Sequence, residues 1–379
     1  MTQQRKAEGP RIATRPASDG AVKKIVHEVD MTKYRVAVIF ASIAVLSFLA
    51  PFGTAAAKPA SHSSNPLVIG TAASPPMGPG PGRIFLVNPV GMGVRSGSFG
   101  KAGTPSGNSF FAAYGRSGAV YVPTLAGKMI VLNAESLKET TAFPVISAAR
   151  LARVVPRHNL VLVLSAKGIA AYGLKTRRPA FSLPIGGNAI AVNAAETRAF
   201  IGGNMDTHIT EITLPQGRVI GTKRIAHSGD LLIARGKLFS ANMKSGILSI
   251  LDLKSGNITK IRTKEVDPAF SYDHIPAANA GFMQLAASSS GRIVYAAGFS
   301  GHILKFSTVH DKYLGEISVI AAKHGPNKLS GLAIVDHGRE ALVTIENRHE
   351  AALVALGTGK IVHVFPGVTS NRWVVSQRP

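Results

Sequence analysis

The feature of this sequence that most constrains its fold is an internal repeat with a period near 40 residues. Each copy contains an apolar strand followed about eight positions later by a second one, and the copies align on one bulky apolar residue. These anchors are Phe85, Tyr121, Val161, Phe200, Phe239, Tyr295 and Val343, separated by 36, 40, 39, 39, 56 and 48 residues. Strand patterning with this period is typical of a β-propeller blade, whereas helical repeats of similar length would show a 3.6-residue periodicity.

The sequence therefore predicts an all-β protein: a single β-propeller of about seven four-stranded blades. Its 39 glycines and 22 prolines agree with the many tight turns that this fold needs. A propeller removes its open sheet edges by closing into a ring. The C-terminal "SNRWVVSQ", residues 370–377, is left over after the last copy. We expect it to be the innermost strand of the blade that begins at Arg83, so that N- and C-terminal strands pair.

Changes in composition divide the chain into four segments. Residues 1–30 are polar and without periodicity, and represent an N-terminal extension or a start codon assigned upstream of the true one at Met31. Residues 31–57 combine two positive charges, the apolar run Val36 to Ala50 and small residues before Lys58, which is the layout of a secretory signal. That run is shorter than the ~20 residues that span a bilayer, so we expect cleavage near Ala57, or a membrane anchor if uncleaved. Residues 58–82 resemble a Pro/Gly/Ser-rich linker, and residues 83–379 are the predicted propeller.

Two of the repeat copies resemble a known family. The phrases "VYVPTLAGKMIVLNAESLK" and "LFSANMKSGILSILDLKSGN" are similar to the YVTN β-propeller repeat, although its aspartate survives only at Asp252 and the first copy is degenerate. The resemblance implies an exported propeller of a superfamily that includes surface proteins, periplasmic nucleic-acid-binding proteins, lactonase-like enzymes and quinoprotein-like or haem-containing relatives.

Composition excludes some of these functions and favours others. The chain has no cysteine, so it has no disulfide, no thiolate nucleophile and no covalently attached c-type haem. After Ala57 it contains 35 lysines and arginines against 16 acidic residues. Such an excess attracts anionic partners, including nucleic acid, envelope polymers and small anions. Spread over all blades, the same charge could instead serve only solubility or tolerance of an acidic medium.

Polar residues cluster in the loops that we assign to one face of the propeller, around the channel mouth. The loops between second and third strands and those between blades meet there, and ligands commonly bind at such loops. The candidate ligand-binding residues are His208, His227, Tyr272, Asp273, His274, His302, His324, Lys328, Arg348 and His349. His158, His310 and His337 fall in turns of the opposite face.

Three interpretations of this cluster are open. The residues could hold zinc or copper, with His274, His324 and Asp273 as ligands and Met205 and Met243 as soft neighbours. They could hydrogen-bond an organic or anionic ligand. They could also be ordinary solvated loop residues, because no short-spacing metal motif is present.

Two functions from different classes remain. The first is an exported, non-catalytic and monomeric binding or scaffold protein of the periplasm or cell exterior, which holds an anionic partner and contacts the membrane only through its signal segment. The second is a metal- or quinone-dependent enzyme of the lactonase or dehydrogenase sort. Its carboxylates would be Asp206, Asp230, Asp267, Asp273 and Glu346, which lie scattered over separate loops. Convergent carboxylates are usual in such enzymes, so we favour the binding protein.

Overall fold

A computed structural model describes residues 67–72, 82–100, 112–115, 118–203, 205–242, 245–263, 282–319 and 328–376. These residues form 28 strands in seven antiparallel four-stranded sheets. The predicted seven-bladed propeller is therefore confirmed. No helix in the described part of the chain has the length and apolar character needed to cross a membrane. The predicted extension and signal segment lie outside the described residues.

Blade 1 is ordered β28, β1, β2, β3 from the channel outward, and the other blades follow chain order. The strands of blades 1 to 3 are β1 (Val68–Ala72), β2 (Gly82–Asn88), β3 (Gly93–Phe99) and β28 (Trp373–Val375); β4 (Ala113–Tyr114), β5 (Ala119–Pro123), β6 (Lys128–Asn133) and β7 (Glu139–Pro144); and β8 (Ala149–Val155), β9 (Leu160–Ser165), β10 (Ile169–Gly173) and β11 (Pro179–Leu183).

The remaining strands make up blades 4 to 7. They are β12 (Ala189–Val192), β13 (Arg198–Gly202), β14 (Ile209–Thr213) and β15 (Val219–Lys223); β16 (Ser228–Ala234), β17 (Lys237–Asn242), β18 (Ile247–Asp252) and β19 (Ile258–Arg262); β20 (Phe282–Ala287), β21 (Ile293–Gly298), β22 (His302–Ser307) and β23 (Lys312–Ser318); and β24 (Leu329–Val335), β25 (Glu340–Ile345), β26 (Glu350–Ala355) and β27 (Ile361–Pro366). Short 3₁₀ turns occur at Pro156–His158, Asp336–Gly338 and Glu346–Arg348.

The core is a ring of apolar layers, one between each pair of neighbouring blades. Strand β9, "LVLVLS", shows why its sequence is continuously apolar and not alternating. Leu162 and its alternate neighbours pack towards blade 4, whereas Val161 and Val163 pack towards blade 2. Since successive side chains point to opposite faces of a strand, a strand covered on both faces must be apolar at every position. Outermost strands such as β19 are mostly exposed and polar.

The ends of the chain close the ring as predicted. Strand β28 pairs with β1, with Gly70 opposite Trp373 and Val68 opposite Val375. Beyond the strand, the Ser376 N–H donates to the Leu67 carbonyl at 2.8 Å, and the Leu67 N–H donates to the Ser376 hydroxyl at 2.9 Å. The C-terminal strand is therefore the innermost strand of blade 1.

The closing blade also differs from the sequence interpretation. The stretch 58–82, predicted to be a linker, contains β1 and the first residue of β2, so the propeller begins before Arg83. Phe85 consequently lies on the third strand of its blade, whereas the other six anchors lie on second strands. This shift explains the short first interval of 36 residues. A five-residue strand flanked by proline- and glycine-rich sequence carries too little periodic signal to be recognised.

Close packing around the single tryptophan fixes the closure. Trp373 is 2% exposed, and its indole N–H donates to the Thr344 hydroxyl at 3.0 Å. Gly331 of β24 leaves room for the ring, because a Cβ there would meet the Ser370 carbonyl oxygen and would lie 2.7 Å from the indole. The closing strand thus fits only against a residue without a side chain.

We expect Gly331→Ala to destabilise the fold by about 1–3 kcal/mol, the usual cost of forcing an extra carbon into a packed core. Chemical denaturation followed by circular dichroism measures this cost. Gly357→Ala is the matched control, because nothing lies within 4 Å of a Cβ at that exposed turn. Equal stability of the two variants would show that the packing around Trp373 is loose.

Candidate functional site

The seven innermost strands enclose a central channel with a cavity of about 540 Å³. This volume lies within the range of ligand pockets, ~300–1,000 Å³. Each strand contributes at least one partly or fully exposed side chain to its wall. A set with one member per strand is Tyr114, Arg153, Val192, Leu232, Ala287, Ile334 and Val374. Arg153 is the one charged member of this set, which we call the channel ring.

Irregular pairing in the innermost strands determines which polar side chains line the channel. Strands β8, β16, β20 and β24 each have a register shift near their first residues. A β-bulge of this kind re-aims side chains and takes backbone groups out of the ladder. Side chains of Asp230 and Gln284 bond to the backbone of neighbouring innermost strands at these points.

The Gln284 side chain holds strands together through hydrogen bonds and is not available to bind a ligand. Its amide N–H donates to the Trp373 carbonyl at 2.8 Å, and its carbonyl oxygen accepts the N–H groups of Leu332 and Trp373, each at 2.8 Å. The side chain is 6% exposed. Three innermost strands, β20, β24 and β28, are therefore held together through one amide.

Asp230 and Arg372 form an ion pair that links blades 5 and 1. One Asp230 oxygen accepts a hydrogen bond from the Arg372 guanidinium, and the other accepts the Leu285 N–H at 2.8 Å. Asp230 is 2% exposed, and Arg372 is also largely buried. Both oxygens of the carboxylate are engaged, so its negative charge is matched locally.

Arg153 differs from Arg372 in having no matched partner. Its side chain is exposed to the channel lumen, and no hydrogen bond or ion pair to its guanidinium occurs among the described residues. The surrounding protein limits its solvation and thereby lowers its pKa from the ordinary range. The positive charge of Arg372 lowers the pKa further, while the carboxylates of Asp230 and Glu196 oppose this shift. Arg153 remains cationic and lies within electrostatic range of all three groups.

The channel end opposite to the predicted loop site is formed by turns between first and second strands. Arg157, Asn193 and Glu196 line the cavity there. The Glu196 carboxylate accepts the backbone N–H of Arg157 at 2.7 Å, and the Glu196 carbonyl oxygen lies 2.8 Å from His158 Nε2. Glu196 is thus also engaged by donors. His310 and His337 lie in turns of this same face, as predicted.

The structure describes six of the ten predicted site residues. It brings Lys328 and the turn of Arg348 and His349 together beside Glu346, and leaves the other three in separate loops. His208, His227 and His302 lie at loops of blades 4 to 6, and Lys328, Arg348 and His349 lie in blade 7 and the loop before it. None of the six lines the channel cavity. Tyr272, Asp273, His274 and His324 fall outside the described residues, as do Asp267 and Met243, so this site as a whole stays a prediction.

Several of the described histidines already have neighbours. His302 Nδ1 lies 2.6 Å from the Ser300 hydroxyl, and its Nε2 lies 3.6 Å from Glu316. His208 Nδ1 lies 2.7 Å from the Thr207 hydroxyl. In the part of the chain that the structure describes, no three His, Asp or Glu side chains are grouped closely enough to hold a metal. The predicted zinc or copper site stays untested, because its three ligands lie elsewhere.

Sequence reasoning missed Arg153, Gln284 and Arg372, and considered Asp230 only as a scattered loop carboxylate. The segment "RLARVV" of β8 contained a signal. Its Arg153 interrupts an apolar strand that must face the middle of the ring, and a charge at such a position indicates either a partner or a ligand.

Comparisons with known proteins support the architecture alone. No protein-family model and no curated protein sequence matches this chain, so the resemblance to the YVTN repeat stays a prediction. The fold is similar to a solved structure of Kuenenia stuttgartiensis hydrazine synthase, with a TM-score of 0.56 and 11% identity. The match covers 69% of this chain and 79% of that chain. At this identity, the likeness shows the fold and carries no information about activity.

Glu346 in the predicted loop site has a perturbed carboxyl group that permits a pH test. Burial raises its pKa above the ordinary value, and the charges of Lys328 and His349 oppose this shift. A raised pKa in the folded state means that the folded protein binds more protons than the unfolded chain between the two pKa values. Stability from this group is therefore greatest at low pH and is lost as the pH rises through the folded-state pKa.

We expect the free energy of unfolding of the wild type, relative to Glu346→Gln, to fall as the pH rises above the unfolded-state pKa of glutamate, about 4.3. A folded-state pKa that lies one pH unit above the unfolded-state pKa corresponds to about 1.4 kcal/mol of this free energy. Urea denaturation at a series of pH values measures the difference, with the exposed Glu139→Gln of β7 as control. A difference that is flat or rises with pH would mean that burial does not dominate at Glu346.

Proposed function

We propose that the chain is an exported, non-catalytic β-propeller binding protein that holds an anionic ligand in its central channel. The observation that supports this function is Arg153, whose guanidinium has no bonded partner among the described residues and whose side chain lines the channel cavity. The ligand would supply the hydrogen-bond acceptors that the protein does not provide to it.

The chemistry of Arg153 suits an anion. A guanidinium presents a planar fork of donors that matches a carboxylate or phosphate in bidentate geometry. A charge with reduced solvation gains more from such a contact than a charge in bulk water does. Arg372 contributes to the local positive potential but is bonded to Asp230. Arg153 in the channel ring and Arg157 at the channel end are the other two arginines of the cavity wall.

The state of the channel carboxylates favours binding over acid-base chemistry. Both oxygens of Asp230 accept hydrogen bonds, from the Arg372 guanidinium and the Leu285 N–H. Glu196 accepts the Arg157 N–H at the channel end. A general base needs an oxygen that can take a proton from the substrate. Both oxygens of Asp230 are instead occupied in holding strands together, and one oxygen of Glu196 holds a turn.

The charge of the whole molecule and its N-terminal sequence agree with this proposal. The excess of lysine and arginine attracts anions towards the protein at long range. The secretory layout of residues 31–57 supports a location in the periplasm or outside the cell. A polyanion on the outer surface remains the competing interpretation, and the following experiment separates the two.

We expect Arg153→Gln to weaken anion binding about tenfold to a hundredfold, which is the ~1.5–3 kcal/mol of a charged hydrogen bond. The measurement is calorimetric titration of the full chain with acetate, octanoate, citrate and inorganic phosphate at fixed ionic strength. Arg218→Gln is the matched control, because it removes the same charge at an exposed turn position outside the channel.

Two results would contradict the proposal. One is that none of the four anions binds with a defined stoichiometry. The other is that Arg153→Gln and Arg218→Gln weaken binding equally, which would indicate diffuse surface electrostatics and not a channel site.

A further inference from the structure

The wall of the channel restricts which anion it suits. We propose that the ligand is a small monocarboxylate with an apolar body, held by its carboxylate on Arg153 and by its body on the opposite wall. This inference rests on the channel site proposed above and adds the chemical class of the ligand.

The first restriction is charge. The ionisable side chains that carry charge at neutral pH along the described cavity wall are three arginines and two carboxylates: Arg153, Arg157, Arg372, Glu196 and Asp230. Their sum is one positive charge. A single carboxylate would neutralise it, whereas a dianion would leave a second negative charge with reduced solvation, which is unfavourable.

The second restriction is the position of the apolar residues relative to Arg153. Arg153 belongs to blade 3, and in a ring of seven the opposite wall is made by blades 6 and 7. Their residues in the channel ring are Ala287 and Ile334, flanked by Leu232 of blade 5 and Val374 of blade 1. These side chains are partly exposed to the lumen. Apolar side chains that face a charged anchor are common in small-molecule sites. Other parts of this cavity wall are polar and include Arg157, Asn193 and Glu196.

The polar groups near that wall do not compensate for it. The Gln284 amide hydrogen-bonds to three backbone groups, and the two oxygens of Asp230 accept hydrogen bonds from Leu285 and Arg372. The side chains of Ile334 and Ala287 offer no hydrogen-bond donor to the further oxygens of a phosphate or citrate. A methylene chain or an aromatic ring would instead exclude water from the same surface.

The experiment is a titration of the full chain with acetate, butanoate, hexanoate and octanoate. We expect about threefold tighter binding for each added methylene, because each one is transferred from water to the apolar wall. The neutral 1-octanol and inorganic phosphate should bind at least tenfold more weakly than octanoate.

Variants separate the two ends of the ligand. Arg153→Gln should weaken all carboxylates by a similar factor and keep the dependence on chain length. Ile334→Thr should leave acetate unchanged and reduce the gain per methylene, and Leu232→Ala provides a second test if the first variant folds poorly. Thermal unfolding of each variant without ligand checks that its fold is intact.

The possible outcomes distinguish the ligand class proposed here from the anion-binding channel proposed above. A rise in affinity with chain length that needs Arg153 and weakens in Ile334→Thr supports the monocarboxylate. Acetate or phosphate could instead bind as tightly as octanoate while binding still depends on Arg153. That result would overturn the proposed ligand with an apolar body and leave the anion-binding channel intact. Absence of binding by all of the anions would overturn both.

Discussion

The pairing of β28 with β1 is the constraint on which the rest of the propeller depends. Blade 1 has its fourth strand only when this last strand is in place, and the strand has just three residues. Its stability comes from side chains of other blades: Gln284 bonds to both backbone groups of Trp373, and Thr344 accepts the indole N–H. Closure is therefore enforced by polar bonds in the middle of the ring as well as by apolar layers between blades.

This closure also creates the candidate site. Arg372 directly precedes the closing strand, and its bond to Asp230 forms only when that strand is seated. The positive charge of Arg372 and the negative charge of Asp230 compensate each other, which leaves Arg153 as the unmatched charge of the channel ring. Fold closure and the proposed ligand site thus share neighbouring residues, so a ligand that bound the closed ring would stabilise it by mass action.

The repeat predicted the fold well because second strands are buried on both faces. Six of the seven anchors, from Tyr121 to Val343, lie on such strands, where a continuous apolar run is required and easily recognised. Blade 1 could not be read in the same way. Its second strand, "VIGTA", is short and lies within proline- and glycine-rich sequence, so Phe85 on the third strand was the first strong apolar signal.

The site could be predicted less well, because loop histidines are conspicuous in sequence whereas Arg153 and Gln284 look like isolated defects in apolar strands. Their roles depend on which strands become neighbours across the ring, and this information is not local.

The unmatched charge of Arg153 is compatible with a folded propeller. An isolated charge in a dry interior would be very costly, yet Arg153 is exposed to a lumen large enough for water, so its solvation is reduced and not abolished. A partial loss of solvation leaves the folded state tolerable while still favouring an anion over water at the guanidinium. Asp230 lies within electrostatic range of Arg153, but both of its oxygens are bonded to other groups. It therefore lowers the positive potential at Arg153 without occupying the N–H groups of the guanidinium. If Arg153 had its own carboxylate partner, the fold would gain little from the pair, and its guanidinium would be less able to orient the proposed ligand.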